Sequence, residues 1–163
     1  MRHRIVLYNP RAVFWTMPLA LVAIGSALDP ARYEVVIVDG RFESDPVATL
    51  LAAIDDRTLC LGVTVLTGAP IRDALTVSRA VKRARPRLPV VWGGWHPSLF
   101  PEQCLTEPNV DVVVMGQGEE TFAEISNVWR TANGWKTWRV APIVRTPRIP
   151  HHPLSISPVS SVT

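Results

Sequence analysis

The side chains that could do chemistry are few, and they gather in short turns. Gly93-Gly94-Trp95-His96 and Gly116-Gln117-Gly118-Glu119 set glycines beside a histidine, an amide and a carboxylate. Thr64-Val65-Leu66-Thr67 offers hydroxyls, and Asn9-Pro10 opens a long loop that holds Phe14 and Trp15. Glycine lets a bulky ligand approach the backbone, and apolar surface with a few polar groups suits a small molecule or cofactor. Neither a Ser/His/Asp set nor a Cys/His set is evident from spacing, so no catalytic residue is assigned. Two cysteines, Cys60 and Cys104, exclude a disulfide framework. They also exclude an iron–sulfur cluster or a four-cysteine zinc site held by this chain alone. Both read as inert small hydrophobes. His151-His152 lack partners for a metal, and no metal ligand is assigned.

Several familiar occupants can be tested against the turns. A dinucleotide site needs Gly-x-Gly-x-x-Gly after the first strand, where this chain reads Asn9-Pro10-Arg11-Ala12-Val13-Phe14. A Walker loop, a flavin phosphate loop and a Gly-x-Ser-x-Gly elbow are missing too. A phosphoacceptor domain needs acidic residues after strand 1 and Asp at the end of strand 3, where Asn9 and Thr64-Val65 stand.

The elements that must position these turns alternate strand and helix. Arg4–Tyr8, Tyr33–Asp39, Leu59–Val65, Pro89–Trp92 and Val110–Met115 read as strands. The run Val35-Val36-Ile37-Val38 suits a strand buried on both faces. Helices are expected over Pro18–Leu28, Asp45–Ile54, Pro70–Arg85, Pro101–Thr106 and from Glu119 onward. Asp45 is an N-cap candidate with Pro46 at N1. Val47, Leu50, Leu51 and Ile54 make one apolar stripe. Ile71, Ala74, Leu75 and Val81 face inward on the third helix; Phe122, Ile125 and Trp129 do so on the last. The expected fold is α/β: three layers, with a five-stranded parallel sheet, Rossmann-like or flavodoxin-like, doubly wound in the order 2-1-3-4-5. In such a sheet a ligand sits beyond the carboxyl ends of strands 1 and 3, flanked by the loops after strands 4 and 5.

Charge divides the chain of 163 residues unevenly. Residues 1–124 carry all 14 acidic side chains and 12 of the 17 basic ones. Residues 125–163 carry the other five basic ones, and five prolines follow within 142–158. The overall charge of +3 therefore averages a mildly acidic domain and a basic tail, and is poor evidence for nucleic acid. The division expected is a β/α domain over 1–130 and an irregular tail over 131–163, unable to form a helix or central strand easily. The longest apolar stretch, Met17–Leu28, is about twelve residues against the ~20 of a membrane span. No secretory signal is read, and a cytoplasmic setting is the default.

Taken in order, Asn9-Pro10, Pro18-Leu19, Val38-Asp39-Gly40, Gly62-Val63-Thr64, Gly93-Gly94-Trp95-His96-Pro97, Pro101-Glu102 and Gly116-Gln117-Gly118-Glu119-Glu120-Thr121-Phe122 form an informative set. The set resembles the cobalamin-binding domain that precedes the radical S-adenosylmethionine domain of many methyltransferases and cyclases. The resemblance covers residues 4 to about 125. It implies cobalamin as cofactor and a site made by Asn9, Pro10, Thr64, Val65, Leu66, Thr67, Gly93, Gly94, Trp95, His96, Gly116, Gln117, Gly118 and Glu119. The family's Ser-x-Leu turn is Thr64-Val65-Leu66 here, with Gln117 in place of a family Glu. By resemblance, the Thr64 hydroxyl and the space at Gly93 and Gly94 accommodate the displaced nucleotide tail.

The wider cobalamin family carries Asp-x-His-x-x-Gly after strand 1, with the histidine on cobalt. Residues 9–17 hold no histidine, and His3 belongs to the other end of the sheet. The implied mode is base-off cobalamin with no histidine on the metal. The Cys-x-x-x-Cys-x-x-Cys motif of the radical domain is not in this chain. A [4Fe–4S] cluster and S-adenosylmethionine are therefore expected only in a separate domain, or in a subunit acting in trans. The chain is expected to be a fragment with no complete activity alone, and residues after about Ser126 to be foreign to the family, as from a frameshift. Simpler readings stay open. The crevice could serve a small Rossmann-type nucleotide-binding domain, or the fold could be a degenerate interaction domain. Gly93 and Gly94 could only make a tight turn, His96 could bond locally, and Asp39 could simply end strand 2. Trp15 and Trp95 could close the core's edge or cover a corrin ring.

Overall fold

The computed structural model describes residues 2–12, 17–131 and 143–145. Its strands are β1 (His3–Asn9), β2 (Tyr33–Asp39), β3 (Thr58–Thr64), β4 (Val90–Gly93), β5 (Val112–Met115) and β6 (Ile143–Arg145). Between them lie α1 (Leu19–Ser26), α2 (Pro46–Ala53), α3 (Ala69–Ala84), α4 (Trp95–Leu99), α5 (Pro101–Leu105) and α6 (Glu119–Thr131). All the strand pairs are parallel, in the order β2-β1-β3-β4-β5-β6. The first five strands follow the expected order. β6, whose sequence Ile-Val-Arg holds no proline, joins the far edge of the sheet.

Alternation along the strands divides the core into two layers. Val6, Tyr8, Leu61, Val63, Trp92 and Val113 face one side, together with Leu50 of α2 and Ala74, Val77 and Val81 of α3. Ile5, Leu7, Cys60, Val91, Val112 and Val114 face the other, under Leu21 of α1 and Phe122, Ile125 and Trp129 of α6. In the first layer the buried Trp92 Nε1 donates to Ser78 Oγ at 3.0 Å, so the indole loses no hydrogen bond on burial.

Local chemistry accounts for the helix ends. Asp45 accepts from Ala48 N at 3.0 Å, capping α2 ahead of Pro46. Glu119 and Glu120 occupy the first turn of α6, where the helix dipole favours them.

Three local expectations are amended. β2 is an edge strand, and its Ile37 is 38% exposed, so its apolar run is not buried on both faces. The Gly93–Leu99 loop contains the short helix α4, because Gly94 turns the chain and Trp95 starts a new turn of helix. The inner face of α3 is Ala74, Val77, Ser78 and Val81, with Ile71 and Leu75 only partly buried. As the spacing of Phe122, Ile125 and Trp129 predicts, α6 continues past Ser126, to Thr131, with Trp129 buried and Tyr33 donating to Asn127 Oδ1 at 2.9 Å. Among the described residues no helix is long and apolar enough to cross a membrane.

Candidate cofactor-binding site

The turns after β3, β4 and β5 are bonded into one unit. Val65 N donates to Gly93 O at 2.8 Å, and His96 N donates to Val65 O at 2.9 Å. Ser98 Oγ donates to Gly94 O at 2.7 Å and accepts from Gly116 N at 2.9 Å. Gly94 sits at φ +95°, which L side chains rarely adopt. A Cβ there would lie 2.9 Å from Thr64 Oγ1 and 3.1 Å from Val65 N, so the turn demands glycine twice over.

Beneath this unit, between the sheet and α1 and α6, lies a cavity of about 260 Å³. It exists because side chains are missing from one face of the sheet. Gly62 on β3 and Gly93 on β4 turn toward it, with Gly118 at its rim. A Cβ on Gly62 would lie 2.8 Å from Leu7 Cδ2 and 3.5 Å from the Phe122 ring. A Cβ on Gly93 would meet only Val114, at an ordinary 3.6 Å, so neither turn nor packing demands glycine there, and its effect is to leave the cavity open.

Seven of the sequence-predicted residues line the cavity: Thr64, Gly93, Gly94, Gly116, Gln117, Gly118 and Glu119. Asn9, Pro10 and Leu66 line, with Thr64 and Arg41, a separate small pocket of about 20 Å³. Val65 is fully buried in the opposite core layer, so its backbone and not its side chain belongs to the site. Trp95 is 67% exposed and lines neither space. His96 is buried, its Nδ1 3.3 Å from Thr67 Oγ1 and its ring tilted against Phe100, which is the local bonding that the simpler reading expects. Phe14, Trp15, His151 and His152 lie outside the described residues.

The loop after β1 is anchored from two directions. Tyr8 Oη donates to Asp73 Oδ2 at 2.6 Å, and Arg11 N donates to the same oxygen at 2.9 Å. Burial, then Asp73, drives the Tyr8 pKa far upward, so the phenol stays a donor. The Arg11 guanidinium donates to the carbonyls of Gly40, Glu43 and Ser44. Alongside, Asp39 accepts from Asn9 Nδ2 at 3.1 Å and from Arg41 at 2.9 and 2.5 Å. Burial alone would raise the Asp39 pKa, but these hydrogen bonds outweigh it and hold the carboxyl below its ordinary value. Asp39 therefore organises the crevice's edge as well as ending β2. His3 starts β1 and lines a cleft at the opposite, amino end of the sheet. Among the described residues no three His, Cys, Asp or Glu side chains are placed to hold a metal.

The candidate site read from the sequence left out Gly62, although it stood in the family motif set, together with Ser98 and the cavity's apolar wall. Gly62 carried a signal, since a glycine inside a strand often marks close approach by something else. Ser98 and Phe122 carried none that separated them from an ordinary helix serine and a core aromatic.

A parallel sheet with an apolar slot under its carboxyl edge, closed by glycine turns, defines an α/β cofactor-binding domain. The chain belongs to the B12 binding domain family, whose model matches residues 10–126. It is 34% identical over 112 residues to an uncharacterised methyltransferase of Pyrococcus horikoshii, covering 66% of this chain and 24% of that protein. It is 32% identical over 113 residues to the anaerobic magnesium-protoporphyrin IX monomethyl ester cyclase of a Synechocystis strain, covering 66% of this chain and 22% of the cyclase. The chain thus spans about a quarter of the length of the curated relatives it matches. Its fold is also that of part of TsrM, a radical S-adenosylmethionine methyltransferase of Kitasatospora setae. The TM-score is 0.69 at 22% identity, covering 82% of this chain and 26% of TsrM. The domain is thus a B12-binding domain with a methyltransferase and a cyclase among its sequence relatives, and family membership implies cobalamin as its ligand.

Proposed function

We propose that residues 1–130 bind cobalamin in the base-off form, with no protein histidine on cobalt, as the cofactor-carrying part of a larger radical enzyme. One observation carries this reading: the cavity of about 260 Å³ that Gly62 and Gly93 open in the sheet, under strand ends where such folds bind ligands. Pockets for whole small molecules run to about 300–1,000 Å³. This one is smaller, and suits the nucleotide tail while the macrocycle stays outside. Thr64 offers a hydroxyl at the entrance, and Gln117 and Glu119 stand at the rim. The histidine-free mode is supported by residues 9–17, which hold no histidine, and by His96, which is already bonded to Thr67.

When bound, the cofactor would supply methyl-transfer or radical chemistry. The iron–sulfur cluster and S-adenosylmethionine would belong to a domain or subunit outside these residues. The residues here bind and orient, and none is proposed to be catalytic. The basic stretch 131–163 adds β6 to the sheet and is proposed to lie otherwise outside the cofactor unit. The two buried cysteines accord with a cytoplasmic setting.

The test is to mix the purified protein with hydroxocobalamin, remove the excess by gel filtration and record the visible spectrum. Co-eluting corrinoid with a base-off spectrum is expected. Colourless protein that binds a nucleotide instead would overturn the reading.

A further inference from the structure

The cavity is lined unevenly. Its deep wall is hydrocarbon: Leu7, Val91 and Val114 of the sheet, Leu21 and Ile24 of α1, and Phe122 of α6. The polar side chains of its lining are Thr64, Gln117 and Glu119, at the end of β3 and around the turn that starts α6. The backbones of β3 and β4 are paired to neighbouring strands on both sides. A group that enters deeply therefore meets methyl groups and one aromatic ring, and the side chains there offer it no hydrogen bond.

Resting on the cobalamin reading above, we propose that this cavity discriminates among corrinoids by the lower base of their nucleotide tail. It favours a benzimidazole-type base over a purine. Both are fused five- and six-membered rings of similar size, so shape does not separate them. The purine edge carries ring nitrogens and, in adenine, an exocyclic amine, where the benzimidazole presents C–H or methyl groups. Burying such donors and acceptors without partners has a cost. Burying the hydrocarbon edge against Val91, Val114 and Phe122 is favourable. The expected preference is about ten- to a hundredfold in affinity.

The experiment measures dissociation constants of the unmodified protein for three corrinoids by equilibrium dialysis. They are hydroxocobalamin, its analogue with adenine as lower base, and cobinamide, which has no base. Hydroxocobalamin should bind about ten- to a hundredfold more tightly than the adenine analogue, and cobinamide should bind more weakly than hydroxocobalamin. Equal affinity for the two base-bearing corrinoids overturns the selectivity while leaving the cobalamin reading in place. Cobinamide binding as tightly as hydroxocobalamin shows that the cavity does not hold the base. Binding of none of the three removes the cobalamin reading itself. Val114→Thr, which puts a hydroxyl on the wall at nearly constant shape, should narrow the preference several-fold (about three or more). An unchanged ratio in the folded variant counts against the proposal.

Discussion

Ser98 Oγ accepts a hydrogen bond from Gly116 N at 2.9 Å while donating to Gly94 O at 2.7 Å. One hydroxyl thus ties the turn after β4 to the turn after β5, across the mouth of the cavity. Ser98→Ala removes both bonds, each worth about 0.5–1.5 kcal/mol net. The expected result is a modest fall in melting temperature and a faster release of bound corrinoid. Ser98→Thr, which keeps the hydroxyl, should restore slow release. If Ser98→Ala releases corrinoid at the unmodified rate, the bridge does not position the site.

The two adjacent glycines should behave differently. The Cβ of Gly93→Val meets only ordinary contacts and its methyl groups would fill the cavity, so the fold should survive and corrinoid co-elution should be lost. Gly94→Val forces a β-branched residue to φ +95° and against Thr64 and Val65. Strained backbone of this kind costs about 1–3 kcal/mol before any clash is counted. Thermal unfolding measured beside co-elution separates the two, and a stable Gly94→Val protein would contradict the geometry.

Ser78 lies on the far face of the sheet and serves as a control. Ser78→Ala leaves the buried Trp92 N–H unpaired, at a cost of about 1–3 kcal/mol. Chemical denaturation should show that loss, while the affinity for hydroxocobalamin stays within about twofold of the unmodified protein.

Asp39 makes stability depend on acid. Its folded pKa is held below the ordinary 3.8, so its contribution is complete above about pH 4 and is lost as pH falls through the folded value. Urea midpoints at pH 6 and pH 3 should fall less in Asp39→Asn than in the parent. Glu34, Asp55 and Glu107 are depressed as well, so part of the acid sensitivity should remain.

Both cysteines should be silent in the native state. Cys60 is fully buried and its pKa is pushed up to about 12, and Cys104 is raised by burial too. A thiol reagent at pH 8 should label neither until denaturant is added. Rapid labelling of Cys60 in the native protein would show that the core layer under α1 and α6 opens readily.

The five-strand order was legible because β-branched runs and helical stripes agreed with one another, and the family through the resemblance carried by the ordered motifs at the strand ends. The edge position of β2 was not, since Val35-Val36-Ile37-Val38 reads the same in an edge as in a centre. α4 was hidden in five residues with no room for a periodic signal. Seven of the candidate residues line the cavity, and their glycine turns announced themselves in sequence. The apolar wall did not, because Val91, Val114 and Phe122 satisfy the same pattern whether they pack on each other or on a guest. Periodicity tells which face is apolar, and only the tertiary fold tells whether that face is filled.

The slot under α1 and α6 is subtractive: it is carved by the side chains that Gly62 and Gly93 lack, with the helices left packed on the sheet beside it. At Gly93 a methyl group added to the strand would occupy the slot with no movement of backbone. Lineages of this fold could therefore gain or shed a cofactor by drift of the glycine at this position to alanine with the backbone unmoved, whereas at Gly62 the Leu7 side chain would also have to shift. Two strand positions, easily checked in any relative, would then report whether a given copy still has room for its tenant.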